Sequence, residues 1–137
     1  MELATFGAIL GFALTLEEKR ASFYETSAQG DVGTLFEELA RGARKRLARV
    51  ERTRREGVAE MILEPISGLS ADQYQVDVSP TENQASLVQK AIALEETVLR
   101  FYRQAADKMP VREVAHVFTR MADETEGHLQ DLHPLQG

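Results

Sequence analysis

The sequence predicts an all-α fold, an antiparallel four-helix bundle of two similar helical hairpins joined by a long crossover. Three observations predict it. The phrase Leu-Glu-Glu-x4-Phe-Tyr occurs twice, from Leu16 to Tyr24 and from Leu94 to Tyr102, at an offset of 78 residues. A second correspondence, at an offset of 82, sets Phe36, Leu39, Ala40 and Leu47 against Phe118, Met121, Ala122 and Leu129. Four segments also carry apolar residues at the 3, 4 spacing of a helix face, with a long irregular stretch after the second.

The first helix is expected from about Thr5 to Gln29, with Leu10, Leu14, Glu17, Ala21, Tyr24 and Ala28 on one stripe. Glu17 lies in that stripe and Glu18 outside it. The run from Leu3 to Leu16 is apolar, but it follows Met1-Glu2 without a basic start and is too short to span a bilayer. It reads as the opening of a core helix. Gly30 ends this helix and Asp31 is placed to cap the next. There Phe36, Leu39, Ala40, Ala43, Leu47 and Val50 form the apolar stripe, and the helix is expected to continue to about Leu63.

Pro65, Gly68 and the stretch from Ser70 to Val78 break the pattern and form a connection longer than a hairpin needs. Ser79-Pro80-Thr81-Glu82 then offers a capping serine, a proline at the first helical position and a glutamate at the third. The third helix runs from this restart to about Lys108. Its stripe holds Val88, Ile92, Glu95, Leu99, Tyr102 and Ala106, so Glu95 faces inward and Glu96 outward. After Met109-Pro110, the fourth helix carries Val114, Phe118, Met121, Thr125, His128 and Leu132 on one face until His133-Pro134 stops it.

The 137 residues fit a single domain, 1–137, able to bury its own core. The absence of cysteine excludes disulfides, thiolate metal sites and a rubredoxin-type iron centre, and agrees with a cytoplasmic protein. Charge is uneven. Residues 41–55 hold eight basic side chains against Glu51, a net +7, which leaves −13 for the rest of a chain whose total is −6. Such a helix can meet an anionic partner or stand as a solvated face paired with neighbouring acids. It lacks the interleaved aromatic residues of a single-strand nucleic-acid surface. No glycine-rich phosphate loop or recognisable nucleophile motif is present, which disfavours nucleotide-binding and hydrolase readings.

In a bundle of this design, two helices can each supply one inward glutamate while the other two each supply Glu-x2-His, enough for two metal ions. The doubled Glu-x6-Tyr helices, the Phe-x2-Leu-Ala start of the second helix and the run from Met121 to Leu129 resemble the ferritin-like superfamily. Within it, the resemblance is to the rubrerythrin-like family over nearly the whole chain. It implies a non-haem di-iron centre that reacts with peroxide or oxygen, or that oxidises and stores iron. Carried over by position, Glu17 and Glu95 match the single glutamates and His128 matches one histidine. Thr125 replaces the glutamate before His128, while Ala43 and Arg46 replace the other Glu-x2-His pair.

Three of six ligands therefore remain, and a guanidinium has no lone pair for a metal. Arg46 is expected to replace metal charge and pair with Glu17, Glu95 or both. Against this, Glu124 precedes His128 by four residues and, with Glu17 and Glu95, offers one metal site, holding iron or another divalent ion at low occupancy. Tyr24 and Tyr102 are expected to hydrogen-bond the inward glutamates. Asp123 and Glu126 fall off the stripe; His116 and His133 are expected to face water.

The leading reading is a rubrerythrin-like protein with a degenerate dimetal site, non-catalytic or binding one metal weakly. A working di-iron oxidase, peroxidase or iron-handling protein with alternative ligands such as Glu124 is the second reading. The third is an interaction module for an anionic partner at residues 41–55. The sequence names no catalytic residue and implies neither haem nor nucleotide. No membrane association is expected, the family resemblance implies a homodimer, and an active enzyme would need an external electron donor.

Overall fold

A computed structural model of the chain describes residues 1–57 and 66–136, and these form an all-α, antiparallel four-helix bundle. The helices are α1 (Phe6–Ser27), α2 (Gly33–Gly57), α3 (Gln84–Lys108) and α4 (Arg112–Leu132). Short 3-10 turns occupy Gly30–Val32, Ala71–Tyr74 and His133–Leu135. Helices α1 and α2 pack as one hairpin and α3 and α4 as the other. Among the described residues, no helix is long and apolar enough to cross a membrane.

Side-chain caps set the starts of α1 and α3. The Thr5 hydroxyl caps α1 by accepting from the Ala8 amide at 3.0 Å, and Gly30 turns the chain with a φ of 60°. A side chain at Gly30 would be strained there and would also run into Gln84. Asp31 falls inside the short turn, and α2 starts two residues after it, at Gly33. The expected continuation of α2 to Leu63 lies outside the described residues beyond Gly57.

The third helix begins later than the Ser79-Pro80 signal implies. Its cap is Asn83, whose side chain accepts from the Ser86 amide at 3.0 Å. Ser79 is taken up elsewhere: its amide and hydroxyl both donate to Asp77, and Lys90 donates to Asp77 and Ser79 at 2.9 and 2.8 Å. A tertiary contact has thus outcompeted a local cap.

The expected stripes are centred correctly but are wider at the middle and softer at the edges. Leu14, Ala28, Leu47, Leu99 and Ala106 are only half-buried, whereas Leu16, Arg20 and Phe23 join the buried face of α1. Duplication extends into the packing. Tyr24 meets Phe36 edge-on at 4.9 Å, and the equivalent pair in the second hairpin, Tyr102 and Phe118, stands 5.6 Å apart.

The crossover is fixed to the bundle at both edges. Leu3 donates its amide to Leu69 and receives support from the neighbouring pairs Ala71 to Met1 and Ile66 to Ala4, all at 2.9 Å. Tyr74, buried despite its irregular surroundings, packs on Phe12 and Phe101 at 5.9 and 5.2 Å and donates its hydroxyl to Gln104. Truncation of this ring removes the aromatic anchor. Tyr74→Ala is expected to cost about 3–5 kcal/mol, while Tyr74→Phe, which keeps the ring and loses one hydrogen bond, costs about 1 kcal/mol. Urea unfolding of the two variants checks the ranking.

Candidate functional site: a buried arginine–glutamate centre

The doubled phrase builds the centre by reciprocal exchange. Tyr24 of α1 donates its hydroxyl to Glu95 of α3 at 3.0 Å, and Tyr102 of α3 donates to Glu17 of α1 at 2.5 Å. Because α1 and α3 run in opposite directions, each Glu-x6-Tyr face meets the other head to tail. All four side chains are fully buried.

Between the two carboxylates lies Arg20, also fully buried. Its Nε donates to Glu17 Oε1 at 3.1 Å and its Nη2 to Glu17 Oε2 at 2.7 Å, a two-pronged contact. Its Nη1 donates to Glu95 Oε1 at 3.0 Å and to the Thr125 hydroxyl at 3.1 Å. Thr125 donates its own hydroxyl to the Met121 carbonyl, one turn back on α4. The threonine therefore supplies an acceptor for the guanidinium from α4.

Arg46 enters from α2 with 3% exposure and makes longer contacts, Nε to Glu17 at 3.4 Å and Nη1 to Glu124 at 3.5 Å. Its guanidinium rests on the bare backbone of Gly42, where an added Cβ would come within 3.2 Å of Nη1. The expected pairing of Arg46 with Glu17 is present. No hydrogen bond to Glu95 is formed, because Arg20, His128 and Tyr24 occupy that carboxylate's oxygens.

His128 Nδ1 lies 2.8 Å from Glu95 Oε1. Facing an ionised carboxylate, that nitrogen is the donor. Glu124, although on the same helix, turns away to Arg49 at 2.9 Å and to Arg46. The structure thus brings together Glu17, Glu95 and His128, with Tyr24 and Tyr102 as donors, and holds Glu124 outside with the arginines of α2. Asp123 and Glu126 are exposed on Arg103, and His116 and His133 are exposed.

The electrostatics follow from these contacts. Burial by itself raises the Glu95 carboxyl, but Arg20, then His128 and Arg46, reverse this and hold it below its ordinary value. Burial and the adjacent Glu95 push Tyr24 well above 10, and burial and Glu17 do the same to Tyr102, so both phenols keep their protons and donate. Burial lowers the Arg20 guanidinium, yet Glu17 and Glu95 outweigh it and raise its proton affinity. Two buried cations, Arg20 and Arg46, face two buried anions, and the centre is neutral without further charge.

These residues do not fit a di-iron or single-metal site. Arg20 occupies the acceptor directions of both glutamates, Ala43 has no donor atom, and Arg46 brings positive charge from α2. Among the described residues no group of three or more His, Cys, Asp or Glu side chains is arranged to hold a metal ion.

Arg20 is the residue that the sequence reading missed. The signal was available: Arg20 lies three residues after Glu17 and four before Tyr24, on their face of α1. Its counterpart at the offset of 78 is Val98, so the repeat is broken at the position that fills the centre.

The arrangement of two hairpins with paired inward glutamates agrees with comparison at the family level. A family model described as a ferritin-like domain matches residues 7–130. No curated protein and no solved structure matches the chain. With the family model covering all four helices, the chain belongs to the ferritin-like domain family.

Proposed function

We propose that this protein is a rubrerythrin-like member of the ferritin fold in which Arg20 and Arg46 replace the charge of a dimetal centre, leaving a non-catalytic, metal-free bundle. The observation that carries this reading is the Arg20 guanidinium, which donates to Glu17 and Glu95 at once. A divalent ion entering the same space would have to displace four hydrogen bonds and meet a fixed positive charge. Two unit charges 4 Å apart repel by about 4 kcal/mol at an effective dielectric of 20, and a divalent ion doubles this. Arginine cannot relieve that repulsion by losing its proton.

The working oxidase reading needs Glu124 as a ligand. That carboxylate is held below its ordinary value: burial raises it, and Arg49 and Arg46 more than compensate. Recruiting it to the centre would break its contacts with both arginines. The metal-free reading needs no such rearrangement.

Anaerobic loading with Fe(II) followed by desalting is expected to leave no stoichiometric iron on the wild-type chain, and Glu17→Ala and His128→Ala should change nothing. About one or two irons per chain, lost in both variants, would establish the enzyme reading instead. A constructive test replaces the misfit residues together. Arg20→Val/Ala43→Glu/Arg46→His/Thr125→Glu supplies the family's ligand types, and Co(II) titration by visible absorption should show binding. The same variant with Arg20 retained should bind far less.

Removal of Arg20 also changes the sign of the acid response. In the wild type Glu95 has a depressed folded-state value, so its contribution is present above the unfolded value near 4.5 and is lost as pH falls through the lower folded value. Arg20→Met leaves Glu95 buried without its main counter-charge, which raises the folded value. Its stability is then retained at low pH and falls as pH rises. The variant is expected to lose about 3–5 kcal/mol at pH 7 and to recover part of it on mild acidification. Urea unfolding followed from pH 8 down to about pH 3 is expected to show the Glu95 contribution flat in the wild type until about pH 4.5 and falling below it, while Arg20→Met gains stability as pH drops from 8; parallel profiles would sink the ion-pair reading.

A further inference from the structure

We infer that α2 carries a docking ridge for an acidic protein segment, formed by Arg41, Lys45, Arg52 and Arg55. The structure divides seven of the eight basic residues of 41–55 into two groups, and the eighth, Arg54, is exposed on another face of α2. Arg44 is held by Glu18 and Glu25, Arg46 by Glu17 and Glu124, and Arg49 by Glu124. These three serve the fold. Arg41, Lys45, Arg52 and Arg55 are exposed and form no ion pair among the described residues.

The second group shares one face. At 3.6 residues per turn the four side chains fall within about 80° of arc and extend over about 21 Å of helix. Ala48, exposed between Lys45 and Arg52, leaves the middle of the ridge low. At its N-terminal end, a groove of about 480 Å³ opens between the end of α1 and the start of α2, lined by Ala28 and Ala40, by Arg41, Arg44 and Lys45, and by Glu25, which Arg44 neutralises, and Glu37. A partner can lay carboxylates along the ridge and place a side chain in the groove.

Charge complementarity selects an anionic partner, and the surroundings select its class. Glu37, Glu38, Glu51 and Glu56 are exposed on α2 itself, interspersed with the cations. Double-stranded nucleic acid presents a charge about every 1.7 Å along its axis, and these acids would oppose it. No aromatic side chain lies on the ridge to stack a base, and no large apolar side chain is exposed there to enter a bilayer. Sparse carboxylates on a peptide can alternate with Glu37, Glu51 and Glu56, as charges do at the polar rim of protein interfaces. The assignment stands apart from the metal-free reading of the bundle interior.

The test uses the full chain and a fluorescently labelled peptide of about 20 residues with one glutamate in every four positions among alanine and serine, a length that covers the ridge when helical, followed by anisotropy at several salt concentrations. Salt-dependent binding is expected. Arg41→Gln/Lys45→Gln/Arg52→Gln/Arg55→Gln should weaken it about tenfold or more, and Lys45→Glu alone about threefold. Lys19→Gln/Arg54→Gln/Arg112→Gln/Arg120→Gln makes the same change in net charge off the ridge and should stay within about twofold of wild type. Equal losses in the two quadruple variants would reduce the effect to net charge and overturn the proposal. So would absence of binding by the wild type, or tighter binding of duplex DNA or phosphatidylserine vesicles than of the peptide. Iron content is untouched by any of these outcomes, so failure here leaves the metal-free reading standing.

Discussion

The placement of one guanidinium between two buried carboxylates constrains every helix of this bundle. Arg20 projects from α1, bonds Glu17 on its own helix, reaches Glu95 on α3 and ends on Thr125 of α4. Arg46 brings α2 into the same network through Glu17 and Glu124. A shift of either hairpin by one turn would strand charged groups in the interior. Such a network contributes modest net stability, since desolvation offsets much of the attraction, but a misaligned alternative loses the attraction and keeps the desolvation cost. The centre therefore selects one register from the several that the apolar stripes alone would permit.

Arginine suits this position for geometric reasons. Its planar fork engages both oxygens of Glu17 while Nη1 turns to Glu95 and Thr125, four directed bonds from one cation. Lysine offers a point charge without the fork. The two glutamates are saturated in turn: every group that approaches their oxygens is a donor, whether arginine, tyrosine or histidine. The donors around the two carboxylates agree with the charge balance, while Arg46 Nη2, buried in the same centre, has no hydrogen-bond partner among the described residues.

The duplication and its violations had different visibility in the sequence. The two hairpins, the crossover and the inward aim of Glu17 and Glu95 were legible because each follows from helical period and repeats at a fixed offset. Arg20 was not, because an arginine beside a lysine in a charged run reads as surface, and only its spacing from Glu17 and Tyr24 argued otherwise. The start of α3 was misplaced because Ser79 is held by Asp77 and Lys90, the latter eleven residues downstream. Tyr74 lay in a stretch without period, and its burial against Phe12 and Phe101 is a tertiary fact that local pattern does not encode. Residues whose role is set by particular side-chain partners rather than by helical period were those that pattern reading lost.

Neutralising two buried carboxylates with arginine also sets what the fold depends on. A metal centre couples folding to ion supply, to deprotonation of its ligands and to exchange with solvent. Here the compensating charge is covalently part of α1, present as soon as the chain is made and unable to dissociate. Raised phenols at Tyr24 and Tyr102, a depressed carboxyl at Glu95 and a permanently charged Arg20 keep these groups far from titration at neutral pH. Each of these four groups thereby keeps one charge state. Variation in charge is left to the surface, where α2 holds cations that the interior does not use against a chain that is otherwise acidic. This ferritin-like bundle thus pairs its buried charges with one another at the centre and leaves exposed cations on the outside of α2.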